Sequence, residues 1–531
     1  MGQVSSQVEA PAIAVKITPK KKSAEKKNVS PTVATTRETV RREPRFFSQM
    51  RNQRGINGLF FGQNPSALPL RSIPEQAIRQ AAGHWIGTRL RDTMLNITAF
   101  APYGTDTRQD SLMIHRRFPW KSLAALLIAA ALVPTTQAGD WPQILGPHRN
   151  GHAENEKLPD KWSEDGPQEL WRRDLGTGYA GPAVKDDVVY LFHRQSSSEL
   201  LDAVDLKTGE RIWTCDMPAS YRASINPDDG PRCTPVVTDD SVVVFGAAGQ
   251  LRCINRETGK IRWAVDLARE FGAQEGYFGF GSTPIVYDKL VLTNVGGRDN
   301  AAVVAVTLKD GQFAWRAGND GASYSSPTMA TIADRPYAVF VTRFQTLLFD
   351  PFTGRILYGF PFGQRGPTVN AATPLVSGNK LFVTSNYGVG SRLVELEKTQ
   401  FKPIWENDDS LSSHYNTPIL VGDYLYGVHG REDLGRAELR CVELATGKVM
   451  WSEAGFGTSH LIYADGKLIA VKNDGAAILF KPDPQKFQEL SRFQAGKDTV
   501  WALPALSGGM LLVRESGQRG GPVRCYQIGA K

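Results

Sequence analysis

The chain has 531 residues and a formal net charge of +8, which would indicate an anionic partner such as nucleic acid if the charge were spread evenly. Residues 1–112 hold 17 basic and 8 acidic side chains, whereas residues 139–531 hold 42 and 46 and carry a net charge of −4. The C-terminal three quarters are close to neutral, which excludes nucleic-acid binding as their main function.

The first 112 residues have the composition of a segment that cannot form a packed core. A Lys-rich start at residues 16–27 is followed by scattered Pro and Gln, with no sustained period of 2 or 3.6. We predict a disordered basic extension and ascribe it to an over-extended gene model, because of the segment that follows. The alternative is a basic interaction arm.

Residues 113–138 have the three-part layout of a secretory signal peptide. Three basic residues follow Met113, an apolar run covers residues 123–133, and Thr136-Gln137-Ala138 comes directly before Gly139. The run is shorter than the ~20 apolar residues that usually span a bilayer. We expect translation to start at Met113 and the product to be periplasmic or secreted. The alternative is a cytoplasmic tail on a short membrane anchor.

A hairpin with a Thr-Gly turn and a tryptophan recurs through the rest of the chain. Residues 253–263 read Cys-Ile-Asn-Arg-Glu-Thr-Gly-Lys-Ile-Arg-Trp, where Gly259 can take the positive φ of a tight reversal. Burying each indole stabilises the fold by about 2–3 kcal/mol, so these side chains are predicted to fasten neighbouring repeats rather than to stack on a cofactor. The predicted docking residues are Trp171, Trp213, Trp263, Trp315, Trp405 and Trp451. Tyr358 and Phe493 occupy the same position, called the station, in the two remaining repeats.

A small residue followed by proline opens each repeat and gives the number of repeats. Seven such pairs and a degenerate copy at His460-Leu461 are spaced 43 to 53 residues apart. Four strands in about 45 residues is typical of a β-propeller blade. The last repeat ends before a tryptophan of its own, so the strand around Trp171 is expected to complete it. The predicted fold is an all-β, eight-bladed propeller of four-stranded antiparallel blades over residues 168–531, preceded by a leader at residues 139–167.

The five cysteines have no metal-binding or haem-attachment spacing. Cys253, Cys441 and Cys525 fall at one repeat position, where a small buried side chain is expected. Cys215 and Cys233 could form a disulfide in an oxidising compartment, and the sequence alone does not give the geometry that such a bond requires.

The repeats resemble the pyrroloquinoline-quinone-like (PQQ-like) repeats of eight-bladed propellers. The shared features are an Asp or Asn, such as Asp205 or Asn255, then Thr-Gly, then a tryptophan four residues after the glycine. The segment from Asp140 to Gly151 resembles the leader of a group of exported propellers from planctomycete-type bacteria. The resemblance spans residues 140–531 and implies the fold. It is compatible with several functions, because BamB-type assembly factors, quinoprotein alcohol dehydrogenases and bacterial sensor domains share these repeats.

The residues three positions before each of the prolines that open the repeats, or before Leu461 in the degenerate copy, are expected to ring one end of the central channel of the propeller. Four aromatic side chains and one arginine at these positions suit a small molecule, a sugar or a peptide. The alternative is that they pack against neighbouring loops and plug the channel. Together with residues nearby, the candidate ligand-binding residues are Tyr179, Arg232, Phe280, Tyr324, Asn370, Tyr415, Asn416, His460 and Trp501.

We expect an exported, monomeric, non-catalytic scaffold that binds a protein or a small ligand, with no cofactor, no metal, no nucleic-acid partner and no membrane span in the mature protein. The alternative is an alcohol or sugar dehydrogenase, which the resemblance associates with PQQ, Ca²⁺, an aspartate base and, in many members, two adjacent cysteines. Adjacent cysteines are missing from the sequence, and acidic pairs such as Asp186-Asp187 fit solvated turns. No catalytic residue is therefore assigned.

Overall fold

The computed structural model describes residues 139–225, 228–398, 400–517 and 519–529. The predicted basic extension and signal peptide, residues 1–138, lie outside the described residues. Within the described ranges, no helix is both long enough and apolar enough to cross a membrane.

Strands make up nearly all of the regular structure. The described helices are α1 (Leu267–Glu270) and a 3₁₀ helix (Glu432–Leu434). In chain order the strands are β1 (Gln168–Asp174), β2 (Ala183–Lys185), β3 (Val188–Gln195), β4 (Ser198–Asp205), β5 (Arg211–Pro218), β6 (Val236–Val237), β7 (Ser241–Phe245), β8 (Gln250–Asn255), β9 (Ile261–Asp266), β10 (Ile285–Tyr287), β11 (Leu290–Gly297), β12 (Ala301–Thr307), β13 (Phe313–Ala317), β14 (Thr328–Ile332), β15 (Arg335–Val341), β16 (Gln345–Phe349), β17 (Ile356–Pro361), β18 (Leu375–Ser377), β19 (Lys380–Ser385), β20 (Gly390–Leu396), β21 (Phe401–Asn407), β22 (Ile419–Val421), β23 (Tyr424–His429), β24 (Glu438–Glu443), β25 (Val449–Glu453), β26 (Ser459–Ala464), β27 (Lys467–Lys472), β28 (Ala476–Lys481), β29 (Gln488–Gln494), β30 (Ala505–Ser507), β31 (Met510–Arg514) and β32 (Pro522–Gln527).

These strands form eight antiparallel sheets of four strands each, and the predicted eight-bladed β-propeller is confirmed. Blades 1 to 7 take four consecutive strands each, from β2–β5 to β26–β29, and blade 8 has the order β30, β31, β32, β1. In blade 8, Trp171 of β1 lies opposite Cys525 of β32. The predicted closure of the last blade by the strand around Trp171 is also confirmed.

The two ends of the channel carry different parts of the chain. Each blade begins with its innermost strand, and these strands run in one direction because the blades are related by rotation about the channel. The loops that enter the innermost strands, which carry Tyr179, Tyr415 and Trp501, therefore lie at one end, the ring face. The Thr-Gly hairpins and the leader residues 139–156 lie toward the other end, the leader face.

Each docking tryptophan contacts the hairpin of the following blade. Trp263 Nε1 donates a hydrogen bond to Leu308 O at 2.8 Å, and a Cβ added to Gly311 would lie 2.8 Å from the same indole. Gly311 has a φ of +70°, so both the turn and the packing require glycine there. Equivalent side-chain bonds to the next hairpin are made by Trp171, Trp213, Trp315, Tyr358, Trp405 and Trp451.

The station in blade 7 differs from the prediction. In each blade the pairing of the outer strand shifts by one residue just before the docking residue, as it does before Trp263 in blade 2. In blade 7 the residue that follows this shift is Ser491, which lies opposite Leu479. By register this position is Ser491, two residues before the predicted Phe493, although Phe493 packs against Gly166, the turn glycine before β1, as the docking tryptophans pack against theirs. Trp162 of the leader packs edge-on against Phe493 at 4.9 Å and bonds Ser491 Oγ through its main-chain N–H. The leader thus supplies the indole that blade 7 lacks.

All five cysteines are buried and free, so Cys215 and Cys233 are not bonded to each other. The three cysteines at the shared repeat position each lie directly opposite a docking tryptophan. A small side chain leaves room for the indole at that position.

Hydroxyl side chains before the prolines join neighbouring innermost strands. Thr234 N donates to Thr283 Oγ1 at 3.1 Å, and Thr283 N donates to Ser326 Oγ at 3.0 Å. The same bond links Thr373 N to Thr417 Oγ1 at 2.9 Å. These bonds set neighbouring innermost strands at one level along the channel, which brings the residues three positions earlier to a common level.

Candidate functional site at the ring face

Five of the nine candidate residues meet at the ring face. Tyr179, Arg232, Tyr324, Tyr415 and Trp501 are all partly exposed, and each lies on a loop that enters an innermost strand. Their spacing from the prolines that open the repeats therefore predicted, from the sequence alone, that they lie at one end of the channel.

An aromatic surface from blades 1, 6 and 8 crosses this end of the channel. The Trp501 ring lies 6.0 Å from the Tyr179 ring and 5.3 Å from the Tyr415 ring. Tyr415 OH donates to Glu432 Oε2 at 2.8 Å. Burial, followed by the charge of Glu432, raises the pKa of Tyr415 well above its usual value, so the hydroxyl stays a proton donor.

Arg232 binds its own loop. Its guanidinium lies over the rings of Tyr179 and Tyr221, at 5.2 and 5.5 Å, and forms an ion pair with Asp228 at 3.3 Å. It also donates hydrogen bonds to the main-chain oxygens of Asp228 and Gly230. Its Nε has no partner among the described residues. The arginine holds the ring loops together and has one donor group left.

A glycine makes room for Tyr324 in the ring. A Cβ at Gly281 would lie 2.5 Å from Tyr324 Cδ1. The Tyr324 hydroxyl accepts a hydrogen bond from Phe278 N at 2.8 Å, and burial raises its pKa. The tyrosine therefore ties the loop before blade 3 to the loop before blade 4.

The other four candidates are buried below this surface. Phe280 packs against Phe245 with centroids 5.4 Å apart. Asn370 Nδ2 donates to the main-chain oxygens of Thr342 and Phe362, and Asn416 Nδ2 donates to Ser459 O at 2.7 Å. His460 Nε2 contacts Trp501 O at 3.0 Å. These side chains support the ring loops instead of lining the open surface.

His460 makes stability depend on pH. Burial lowers its pKa to about 4 against a weaker opposing effect of the Trp501 carbonyl. Between pH 6.5 and 4 the unfolded chain binds the proton and the folded chain does not, so stability falls as the pH falls, by about 3 kcal/mol for this group. We expect His460→Gln to reduce the dependence of the unfolding free energy on pH, measured by denaturant titration from pH 7 to 4.5. His148→Gln, at an exposed position, is the control. An unchanged slope in His460→Gln would contradict this assignment.

The leader crosses the channel at the opposite end. Trp141 and Val184 exchange two main-chain hydrogen bonds, and Tyr463 exchanges two with Gly151 and Ala153. Glu156 accepts hydrogen bonds from the main-chain N–H groups of Gly508 and Gly509. The leader therefore pairs with exposed main-chain groups of blades 1, 7 and 8 at the leader face.

Arg149 carries the leader into the channel. It is 2% exposed and donates to the main-chain oxygens of Thr283, Pro284 and Pro327, which belong to blades 3 and 4. Its Nε donates to Gln143 Oε1 at 2.8 Å. Sequence reasoning assigned no role to these leader residues. Trp141 was the available signal. A segment as short as the leader cannot bury a tryptophan by itself, so this residue indicates that the leader packs against the propeller.

The charged side chains at the two ends of the channel bear on whether it could hold a calcium ion. Within the described ranges, no three His, Cys, Asp or Glu side chains cluster as a metal site needs. The Asp228 carboxylate is bonded to Arg232 and to the N–H groups of Gly178 and Gly230. Arg149 and Arg232 also place cations at the two ends of the channel, which opposes a divalent ion.

Six of the eight blades place a tryptophan on the turn of the next blade, and in this the chain resembles the PQQ-like-repeat β-propellers. The family model described as outer membrane protein assembly factor BamB matches residues 196–453. The outer membrane protein assembly factor BamB of Burkholderia pseudomallei (strain K96243) is 24% identical over 318 residues, covering 49% of this chain and 76% of that protein.

Solved structures establish the same fold. BamB from Moraxella catarrhalis superposes with a TM-score of 0.51 at 14% identity, covering 68% of this chain and 99% of that one. Quinohemoprotein alcohol dehydrogenase from Comamonas testosteroni superposes with a TM-score of 0.53 at 14% identity, covering 74% of this chain and 81% of that one. At this identity the likeness concerns the fold alone.

Proposed function

We propose that the protein is an exported, non-catalytic scaffold that binds a partner protein with its ring face. The observation that carries the proposal is a set of exposed apolar side chains on four loops of that face. They are Ile225, Tyr277, Phe344 and Leu434, with exposed fractions from 36% to 59%. Exposed apolar groups beside polar loops are typical of protein interaction surfaces.

The charges around these side chains also suit a protein partner. The Arg343 guanidinium lies 4.5 Å from the centre of the Phe344 ring, and Arg431 lies 4.4 Å from the Tyr387 ring. Arginine and aromatic side chains are enriched in the residues that contribute most to protein association. The aromatic surface formed by Tyr179, Tyr415 and Trp501 lies at the centre of the same face.

The relatives support a role of this kind. They are outer membrane protein assembly factors, and we propose the same general role for this protein, assembly with other proteins in the periplasm or outside the cell. The predicted signal peptide agrees with export. We propose that the protein acts as a monomer without a cofactor.

Paired substitutions of exposed side chains test the ring face. Phe344→Ser with Leu434→Ser removes apolar contacts at positions that are 36% and 59% exposed. Phe313→Ser with Phe352→Ser does the same on outer parts of blades 3 and 4, at 55% and 50% exposure. We expect at least a tenfold loss of partner capture in the first variant, because interface apolar groups contribute about 1–2 kcal/mol each. The second variant should capture partners as the wild type does, in quantitative cross-linking from the native cell envelope.

Two results would contradict the proposal. Equal capture by both variants would remove the ring face as the docking surface. Dye-linked oxidation of alcohols after addition of PQQ and Ca²⁺, with a spectral change of the bound quinone, would establish the dehydrogenase alternative in place of the scaffold.

A further inference from the structure

A cavity of 580 Å³ lies at the leader face, where the leader leaves blades 3, 4 and 5 uncovered. One side is formed by leader residues, among them Arg149 and Asn150. The other side is formed by the innermost strands of the three blades, with Ile285, Met329 and Leu375. The volume lies in the range of sites for small molecules. This cavity is at the opposite end of the channel from the ring residues.

Arg149 is a buried cation with an unused donor. Its hydrogen bonds go to Gln143 Oε1 and to three main-chain oxygens, all of them neutral acceptors. A guanidinium has five N–H groups, and four of them are used by these bonds. Among the described residues, no carboxylate lies within ion-pair distance of Arg149.

The charge of Arg149 is therefore not balanced. No Asp or Glu belongs to the residues that line the cavity, and Glu154, which is close in sequence, pairs with His148 at 2.7 Å. Burial lowers the pKa of Arg149 to about 9, and the only opposing effect comes from the Cys233 thiol. A buried charge without a partner is costly, which favours an anion at this position.

Arg514 shows the contrast within the same molecule. It is equally buried and donates to the main-chain oxygens of Gly176, Ala180 and Phe192. Burial lowers its pKa to about 10, but here the carboxylate of Asp228 opposes the shift. Arg514 does not line the cavity. Arg514 also forms no ion pair among the described residues and has an unsatisfied Nε, so Arg149 differs from it in lining the cavity and in having no carboxylate near enough to oppose the shift of its pKa.

The remaining lining distinguishes between anions. Asn150 Oδ1 accepts from His152 N, and its Nδ2 has no acceptor among the hydrogen bonds of the described residues. On the opposite wall, the apolar side chains of Ile285, Met329 and Leu375 lie beside the hydroxyl side chains of Thr328 and Thr331. A polyphosphate would place charged oxygens against that wall, whereas a carboxylate on an apolar body would match both sides.

We propose that this cavity binds a monocarboxylate with an apolar body, with the carboxylate at Arg149 and Asn150 and the apolar part against blades 3 to 5. Two sources have this chemistry, a free organic acid and the C-terminal carboxylate of a peptide that ends in an aliphatic residue. The planar carboxylate accepts the remaining N–H of the guanidinium and neutralises its charge.

Calorimetric titration of the full chain with hexanoate, and with the tripeptide Ala-Ala-Leu, tests the proposal. Hexanamide and the C-terminally amidated tripeptide are the uncharged controls. We expect at least one carboxylate to bind, its uncharged counterpart to bind at least about tenfold more weakly, and Arg149→Gln to cause a similar loss. Stronger binding of hexanoate identifies a free acid as the source, and stronger binding of the tripeptide identifies a peptide end.

Two further variants separate binding from folding. Arg514→Gln removes an equally buried arginine outside the cavity and should bind the carboxylate as the wild type does. Met329→Trp fills the cavity and leaves Arg149 in place, so it should abolish binding even if Arg149→Gln fails to fold. Absence of binding by the wild type to both carboxylates, or unchanged binding in a folded Met329→Trp variant, would overturn the proposal.

Discussion

Replacing Trp141 and Trp162 together by alanine is expected to unfold the protein at 37 °C. The two leader indoles are 2% and 6% exposed, and they pack at separate places, against blade 1 and against blade 7. Removing a buried tryptophan costs about 3–5 kcal/mol, and losses at separate sites add. The sum is comparable with the whole stability of a typical folded domain, about 5–15 kcal/mol.

Thermal unfolding followed by circular dichroism measures this effect. Each single variant should be folded with a lower melting temperature, and the double variant should lack the cooperative transition. Ile212→Ala, at a side chain that is 53% exposed, is the control and should melt close to the wild type. A double variant that melts as the wild type does would mean that the leader lies on the propeller without stabilising it.

The fold could be predicted because its signals are local and repeated. Most hairpins contain a turn glycine and a tryptophan within about ten residues, so a count along the chain gives blades and closure. Among the blades formed by consecutive strands, blade 7 alone lacks both a Thr-Gly turn and an aromatic residue at the register position. Its hairpin has no Thr-Gly turn, and there the predicted station at Phe493 is two residues from the observed one at Ser491.

The candidate site could be predicted in its location but not in its contacts. The prolines that open the repeats show where each innermost strand starts. This is sufficient to predict that Tyr179, Tyr415 and Trp501 lie at one end of the channel. Whether a ring side chain stays available depends on partners far away in sequence. Asn370 bonds Thr342 O, 28 residues earlier, and Asn416 bonds Ser459 O, 43 residues later. No spacing rule in the sequence contains such contacts.

The contacts of the leader could not be predicted from the repeat pattern, because the leader occurs only once in the chain. Its contacts connect positions that are hundreds of residues apart, such as Glu156 with Gly508 and Gly509. The same segment places the buried cation Arg149 beside a cavity. Closure of the channel end and formation of the cavity therefore have a single structural origin.

The closing strand is expected to be the first part of the propeller to open when its tryptophan is removed. Trp171→Ala and Trp263→Ala each delete a docked indole and one Nε1 hydrogen bond, to Leu206 O and to Leu308 O. Each should lower the unfolding free energy by about 3–5 kcal/mol. Their local effects should differ, because β1 reaches β32 only through non-covalent contacts, whereas Trp263 lies in a blade formed by consecutive strands.

Hydrogen exchange measured by mass spectrometry distinguishes the two variants. In Trp171→Ala, amide exchange should rise most in β1 and β32, since the remaining links there are the β1–β32 pairing and polar bonds such as that of Arg524 with Glu169 at 2.8 Å. In Trp263→Ala, the rise should be confined to blades 2 and 3, with β1 exchanging as in the wild type. A uniform rise in Trp171→Ala would mean that the closed ring opens only by global unfolding, and that the non-covalent β1–β32 junction inside blade 8 is as strong as the strand pairings of the blades formed by consecutive strands.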